Sequence, residues 1–221
     1  MTGPILLFVA LEQGSQFASV TASGALAGGL AWLSFAYSYA WVATKMSWVV
    51  ALLASLFSYL AVGCVLVLAA PPFALIAVLV IVAVVLAPRL FPRLTQPIGR
   101  AAASSIELAA RMLAGGVLTV SVTHLSPALG PKFSGLFAVF PVMGIVLAGF
   151  SHRASGNVFT IHLLRGMVSG FYSFTAFCLT IALALRALGI AAAFALALCL
   201  SLTVHFCVLW IMRRGRRRMP A

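Results

Sequence analysis

The sequence predicts an all-α, polytopic membrane protein, on three observations. Of its 221 residues, 64% are hydrophobic and only 7% are charged, whereas a soluble domain carries roughly a quarter of charged residues. Apolar runs of about 18 residues or more, long enough to cross a hydrocarbon core, take up most of the chain. The basic residues gather at the ends of those runs, with Arg165 the exception. The net charge of +12 therefore speaks of membrane orientation. Nucleic acid is excluded as a partner, because it needs a basic face with phosphate- and base-contacting elements.

Cut at charged or Pro/Gly-rich breaks, the runs give about eight transmembrane helices. They lie near 4–20, 22–44, 47–69, 72–88, 110–128, 133–151, 157–185 and 188–212. The first two must be separate, since about forty residues of unbroken helix would be near 60 Å long, twice a bilayer core. "GSQFASVTASG" (14–24) is the only small, polar stretch there to make the reversal. The Pro- and Arg-rich segment "APRLFPRLTQPIGRAAASSIELAAR" (87–111) separates two halves. The expected organisation is a first transmembrane repeat over 1–88, a cytoplasmic linker over 89–109, a second repeat over 110–212 and a basic cytoplasmic tail over 213–221. The N-terminus lacks the basic region of a signal peptide, so the first helix is expected to be retained.

Eight spans place both termini on one side. That side collects Lys45, Arg89, Arg93, Arg100, Arg111, Arg153 and the tail "RRGRRR" (213–218), against Lys132 and Arg186 on the other. Cytoplasmic loops carry the excess of Lys and Arg, so both termini are expected in the cytoplasm. Trp41, Trp48 and Trp210 then fall at the headgroup level of that leaflet, as an aromatic belt does. The Arg tail suits anchoring and contact with anionic membrane lipids, or docking of a cytoplasmic partner.

The halves resemble each other. "FASVTASGALA" (17–27) lies against "ALGPKFSGLFA" (128–138) at an offset of 111, and "SLFSYLAVGC" (55–64) against "SGFYSFTAFC" (169–178) at an offset of 114. Four spans per half is an even number, so the two four-helix repeats run parallel, about an axis along the membrane normal.

Few residues offer chemistry. Glu12 is one of two acids in the chain and is expected inside the first span, where an ionisable group must face protein or a water cavity. At the repeat offset Glu12 and Gln13 fall opposite Thr123 and His124. Glu12 then reads either as a proton-coupling carboxylate or as a protonated group bonded to a neighbouring helix. In the seventh span His162, Arg165, Ser169, Tyr172 or Ser173, and Thr180 form one helical stripe, which should face the bundle interior. Arg165 is placed either to snorkel to the cytoplasmic surface or to hold a carboxylate or phosphate of a substrate. The four cysteines, Cys64, Cys178, Cys199 and Cys207, lack metal or redox spacing and read as small core residues. No nucleophile with a base and an orienting acid can be assembled. Neither an enzyme, a metal nor a cofactor is expected.

"FSGLFAVFPVMGIVLAGFSHRASG" (133–156) breaks its own helix. Its glycines suit close helix packing, as do "GALAG" (24–28) and "GMVSG" (166–170). Pro141 is different, because within a helix it removes a donor and frees the carbonyl one turn earlier, near Phe137. It is expected to kink the helix toward the interior, near a ligand. This stretch, followed by "LLRGMVSGFYSFTAFCLTIALAL", resembles the small inner-membrane proteins of the GlpM type over roughly residues 130–186. Their modules carry a similar Gly-Leu…Phe-Pro element, a hydrophilic turn and a span patterned with Gly, Ser and aromatic residues. On that resemblance the chain looks like two such modules fused, with Leu30 opposite Pro141. It implies an integral protein of the bacterial inner membrane and names no substrate.

The expected function is a small transporter or permease for an anionic or amphiphilic, lipid-like substrate. The substrate would sit between the halves, near Glu12, Gln13, Thr123, His124, Pro141, His162, Arg165, Ser169 and Ser173. The alternative is a non-catalytic membrane subunit that binds a protein or lipid partner or a second copy of the chain.

Overall fold

The computed structural model describes residues 2–92, 94, 105–125 and 139–217, all helical or connecting, with no strand among them. α1 spans Thr2–Val42, α2 Trp48–Ala69, α3 Phe73–Leu90, α4 Ser105–Leu125 and α5 Val142–Arg217. All five contain a stretch long and apolar enough to cross a membrane. The protein is thus a polytopic helical membrane protein, with five long apolar helices among the described residues where eight spans are expected. Two of them are sharply broken, α1 at Gly14 and α5 at Gly156 and Gly189. Each break holds φ between 76° and 86° with an extended ψ, a combination that only glycine enters freely.

The break in α1 comes earlier than the span count requires. Its first piece, 2–13, is about 18 Å long and too short to be the span expected over 4–20. The polar stretch after Gly14 stays helical because its hydroxyls turn back onto helix carbonyls. Thr21 Oγ1 donates to the Phe17 carbonyl at 2.9 Å and Ser23 Oγ to Ser19 at 3.1 Å. The bonded hydroxyls leave no need for a loop.

Pro141 does not kink a helix either. It stands just ahead of α5, and its carbonyl accepts the first helical bond, from the Ile145 N–H at 2.8 Å. Proline has no N–H to give and disfavours helix in the residue before it, so the helix begins after it. Of the span expected over 133–151, residues 133–138 lie outside the described residues. So do Phe137, Lys132, most of the linker and the 128–138 member of the sequence comparison.

The long piece of α1, 15–42, is the post of the bundle. Ala18, Ala22, Leu26, Leu33, Phe35, Ala36, Tyr39 and Ala40 along it are essentially inaccessible. α2 and α3 flank it without packing on each other. α2 runs antiparallel to it, with Ser34 and Ser58 donating to each other's carbonyls at 3.3 and 3.4 Å. α3 runs the same way as α1, since Tyr37 donates to Ala83 at 3.0 Å and Trp41 Nε1 to Leu90 at 2.7 Å. The first piece of α5 is also parallel to α1. Val139 lies against Gly28, Tyr39 donates to Ala148 and Asn157 to Ala43. After Gly156 the chain turns back along α1, pairing Phe171 with Trp32 and Ala182 with Ser19.

These registers give the bundle two ends. One holds Lys45, Arg89 and Arg153 around the ends of α1 and α3 and the Gly156 turn, and carries the exposed Trp41 and Trp48. The other holds the Gly14 and Gly189 turns and Arg186. Cys178 is buried as expected, but Cys199 and Cys207 are exposed, which a weakly polar thiol tolerates in lipid.

The closest backbone approach is testable. A Cβ added at Gly28 would stand 2.8 Å from Cβ of Val139, a branched side chain that cannot swing away. Gly28→Ala is expected to destabilise the protein by roughly 1–3 kcal/mol through overpacking. Gly24→Ala, with open space around it, should be neutral or slightly stabilising in a thermal-unfolding comparison in detergent.

Candidate functional site

Three of the side chains that offer chemistry, Arg165, Ser169 and Tyr172, gather where α3 meets the second and third pieces of α5. A cavity of about 240 Å³ lies there, lined by Ala87, Pro88, Phe91, Arg165, Val168, Ser169, Tyr172, Val208 and Ile211. Helical spacing brings Arg165, Ser169 and Tyr172 to one face of α5, and α3 supplies the opposite wall.

Among the described residues Arg165 is the only charge in that wall. One of its Nη groups donates to the Pro92 carbonyl at 3.0 Å, and its guanidinium lies over the Phe91 ring at 5.6 Å. Its Nε is buried and has no partner among the described residues. No carboxylate answers it. The chain has two acids: Glu107 bonds Arg111 one turn along α4, and Glu12 lies beside the Gly14 turn at the opposite end of the bundle.

The depth of Arg165 follows from its own helix. Arg165 and Arg186 bracket five to six turns of one straight piece, roughly 30 Å, which is the thickness of a hydrocarbon core. Arg165 thus stands at one boundary of the apolar slab and Arg186 at the other. Trp210 stacks on the Arg214 guanidinium at 3.5 Å next to Ile211 of the cavity, which sets an aromatic side chain at the same boundary.

The expected site residues divide into those the fold brings together and those it disperses. Arg165 and Ser169 share the cavity, and Tyr172 takes the place beside them. Ser173 is turned elsewhere, its hydroxyl buried without a partner. Thr180 spends its hydroxyl on the Ala176 carbonyl at 2.8 Å. His162 is half-buried one turn before Arg165 and is not in the cavity wall. Glu12 and Gln13 are exposed, as is His124 near the end of α4, and α1 and α4 do not pack on each other. The side chain of Thr123 lies outside the described residues. Pro141 is buried beside the bundle axis, away from the cavity.

Two features escaped the sequence. Phe91 and Pro92 read as linker, yet both are buried, and together they hold Arg165. Tyr39 donates to the Ala148 carbonyl at 3.2 Å and stands 3.2 Å from Nδ1 of His152. Neither residue stands out in the sequence, although their separation of 113 lies within the offsets that align the two halves. No family model matches the chain, and neither does a curated protein or a solved structure.

The Tyr39 bond ties α1 to the first piece of α5. Tyr39→Phe keeps the ring and removes only the hydroxyl, so it should cost about 0.5–1.5 kcal/mol. A drop in the midpoint of thermal unfolding measures this loss; an unchanged midpoint means the bond adds nothing.

Proposed function

We propose that the protein is a small permease of the bacterial inner membrane that moves an anionic or amphiphilic substrate through the Arg165 cavity. The basic end of the bundle, toward which the last piece of α5 runs, is the cytoplasmic one in this reading; the expected cytoplasmic N-terminus would need the short piece 2–13 to cross the core, which its length of about 18 Å does not allow. The observation that carries it is an arginine in an apolar cavity, half-satisfied by a carbonyl and a ring, with no acid in reach to neutralise it. A half-buried cation set against apolar walls without a counter-charge carries a desolvation cost, and an anionic substrate relieves that cost.

The paired architecture of many transporters is part of the proposal, with two parallel repeats of the GlpM type. Contacts across α1 and α5 support it. Tyr39 meets Ala148 and His152, and Ala43 meets Asn157, across separations of 109 to 114 residues, close to the offsets that align the two halves in sequence. Matched positions of parallel helices meet side by side only near a two-fold axis. The flanking contacts pair off in the same way: Phe174 lies over Gly29, and Tyr59 stands edge-on to Phe140. Glu12 has no part in the proposed path, because it lies exposed at the far end.

Reconstitution into phosphatidylcholine vesicles tests the proposal with two tracers, fluorescent phosphatidylglycerol and glycerol phosphate. Movement of either is expected, slowed roughly ten- to a hundred-fold by Arg165→Gln and unchanged by Arg186→Gln. A folded wild-type protein that moves neither tracer contradicts the permease and leaves a membrane subunit.

A further inference from the structure

We infer that the Arg165 cavity seats the headgroup of a singly charged anionic lipid, whose chains stay in the bilayer outside α3 and the last piece of α5. The inference rests on the permease proposal for its choice of site and narrows the substrate to a class.

Size comes first. Sites that enclose a whole small molecule run to roughly 300–1,000 Å³, and this cavity is about 240 Å³. It accommodates a headgroup and the first carbons of a chain, and the remainder must lie elsewhere. Wall chemistry comes second. Apart from Arg165, Ser169 and Tyr172, the lining is Ala87, Pro88, Phe91, Val168, Val208 and Ile211. A hydroxyl-rich soluble anion would leave its polar groups unpaired against such walls, at a cost for each. An amphiphile would not.

The charge count selects a monoanion. Among the described residues one guanidinium faces the cavity, and its buried Nε lacks an acceptor there. A phosphodiester oxygen supplies that acceptor, and a charge-assisted bond of this kind is the strong one. The Tyr172 hydroxyl makes no hydrogen bond among the described residues and remains available as a second donor. Ser169 already donates to the Gly166 carbonyl at 2.6 Å, which leaves its oxygen as an acceptor for a headgroup hydroxyl.

The mouth points to the bilayer as the source. Pro88, Leu90 and Ile211 beside the cavity are exposed, and exposed apolar side chains on a membrane helix face lipid. Arg165 stands at the slab boundary, the depth at which lipid phosphates lie. At the repeat offset of 114 the matching residue in α2 is Ala51, which is buried without any charge. On the proposed repeat, Arg165 has no charged counterpart in α2, and the site occurs once among the described residues.

Native mass spectrometry of the whole protein, released from nanodiscs of phosphatidylcholine with a minor fraction of phosphatidylglycerol, tests the inference. One retained phosphatidylglycerol per chain is expected, with no retained phosphatidylcholine. Retention should fall roughly ten- to a hundred-fold in Arg165→Gln and persist in Arg186→Gln. Val208→Phe fills the cavity without touching the charge and should lose the lipid as well, which decides the matter if Arg165→Gln does not fold. Equal retention by a folded Arg165→Gln or Val208→Phe protein overturns the inference. So does displacement of the lipid by glycerol phosphate, which would make the ligand a soluble anion. A lipid retained but never moved across vesicles sinks the permease and keeps the site. Glycerol phosphate moved with no lipid retained does the reverse.

Discussion

Lipid tails are as apolar as leucine, so a bilayer gives helices no hydrophobic reason to associate. Association in this protein depends on how closely other segments approach the long piece of α1. Small residues at Ala18, Ala22, Ala36 and Ala40 remove the side-chain layer, and Gly28 lets Val139 come to the backbone itself. Polar bonds then fix the register at each contact, through Ser19, Ser34, Tyr37 and Tyr39. The hydroxyls of Ser19, Tyr37 and Tyr39 donate to main-chain carbonyls of other segments, and Ser34 shares its proton between Ala31 on its own helix and Ser58 on α2. A carbonyl on a helix keeps a lone pair after its helical bond is made, so such ties do not unwind the partner.

With α1 fixed, the rest of the bundle is determined. α2 and α3 occupy separate flanks of α1, each tied to it and neither to the other. The breaks at Gly156 and Gly189 fold α5 back on itself, first against α1 and then against its own middle piece, where Phe194 meets Phe177 edge-on. The Arg165 cavity is what remains between α3 and the last two pieces of α5. Its position is thus a consequence of α1 holding α3 and the middle of α5 at a set separation. Its charge has no such structural origin.

The class of protein was legible in composition, and the outer limits of α2 and α3 were legible in the apolar runs, because both are plain spans between strong stops. The reversal near 14–24 was legible only as a region. Serine and threonine read as loop formers, and nothing local reveals that Thr21 and Ser23 satisfy themselves on their own helix. Pro141 was recognised as a break but placed inside a helix, since the apolar pattern runs on through it. Helical spacing alone brings Arg165 and Ser169 together, with Tyr172 or Ser173 beside them. Glu12 and His124 were brought near each other by an alignment that says nothing of distance across the bundle. Phe91 and Pro92 went unnoticed because a Pro/Arg-rich segment reads as solvent-exposed linker, while their role depends on contact with a helix more than seventy residues later.

The central claim is that Arg165 is an unneutralised cation held ready for an anion. A high-resolution density map of the protein in nanodiscs containing phosphatidylglycerol tests it most directly. Elongated density with its head against the Arg165 guanidinium and its tail passing out between Pro88 and Ile211 is the predicted result. A carboxylate of a second chain or of a partner protein seated on Arg165, or a cavity closed by Ile211 with the guanidinium turned out to water, would contradict it.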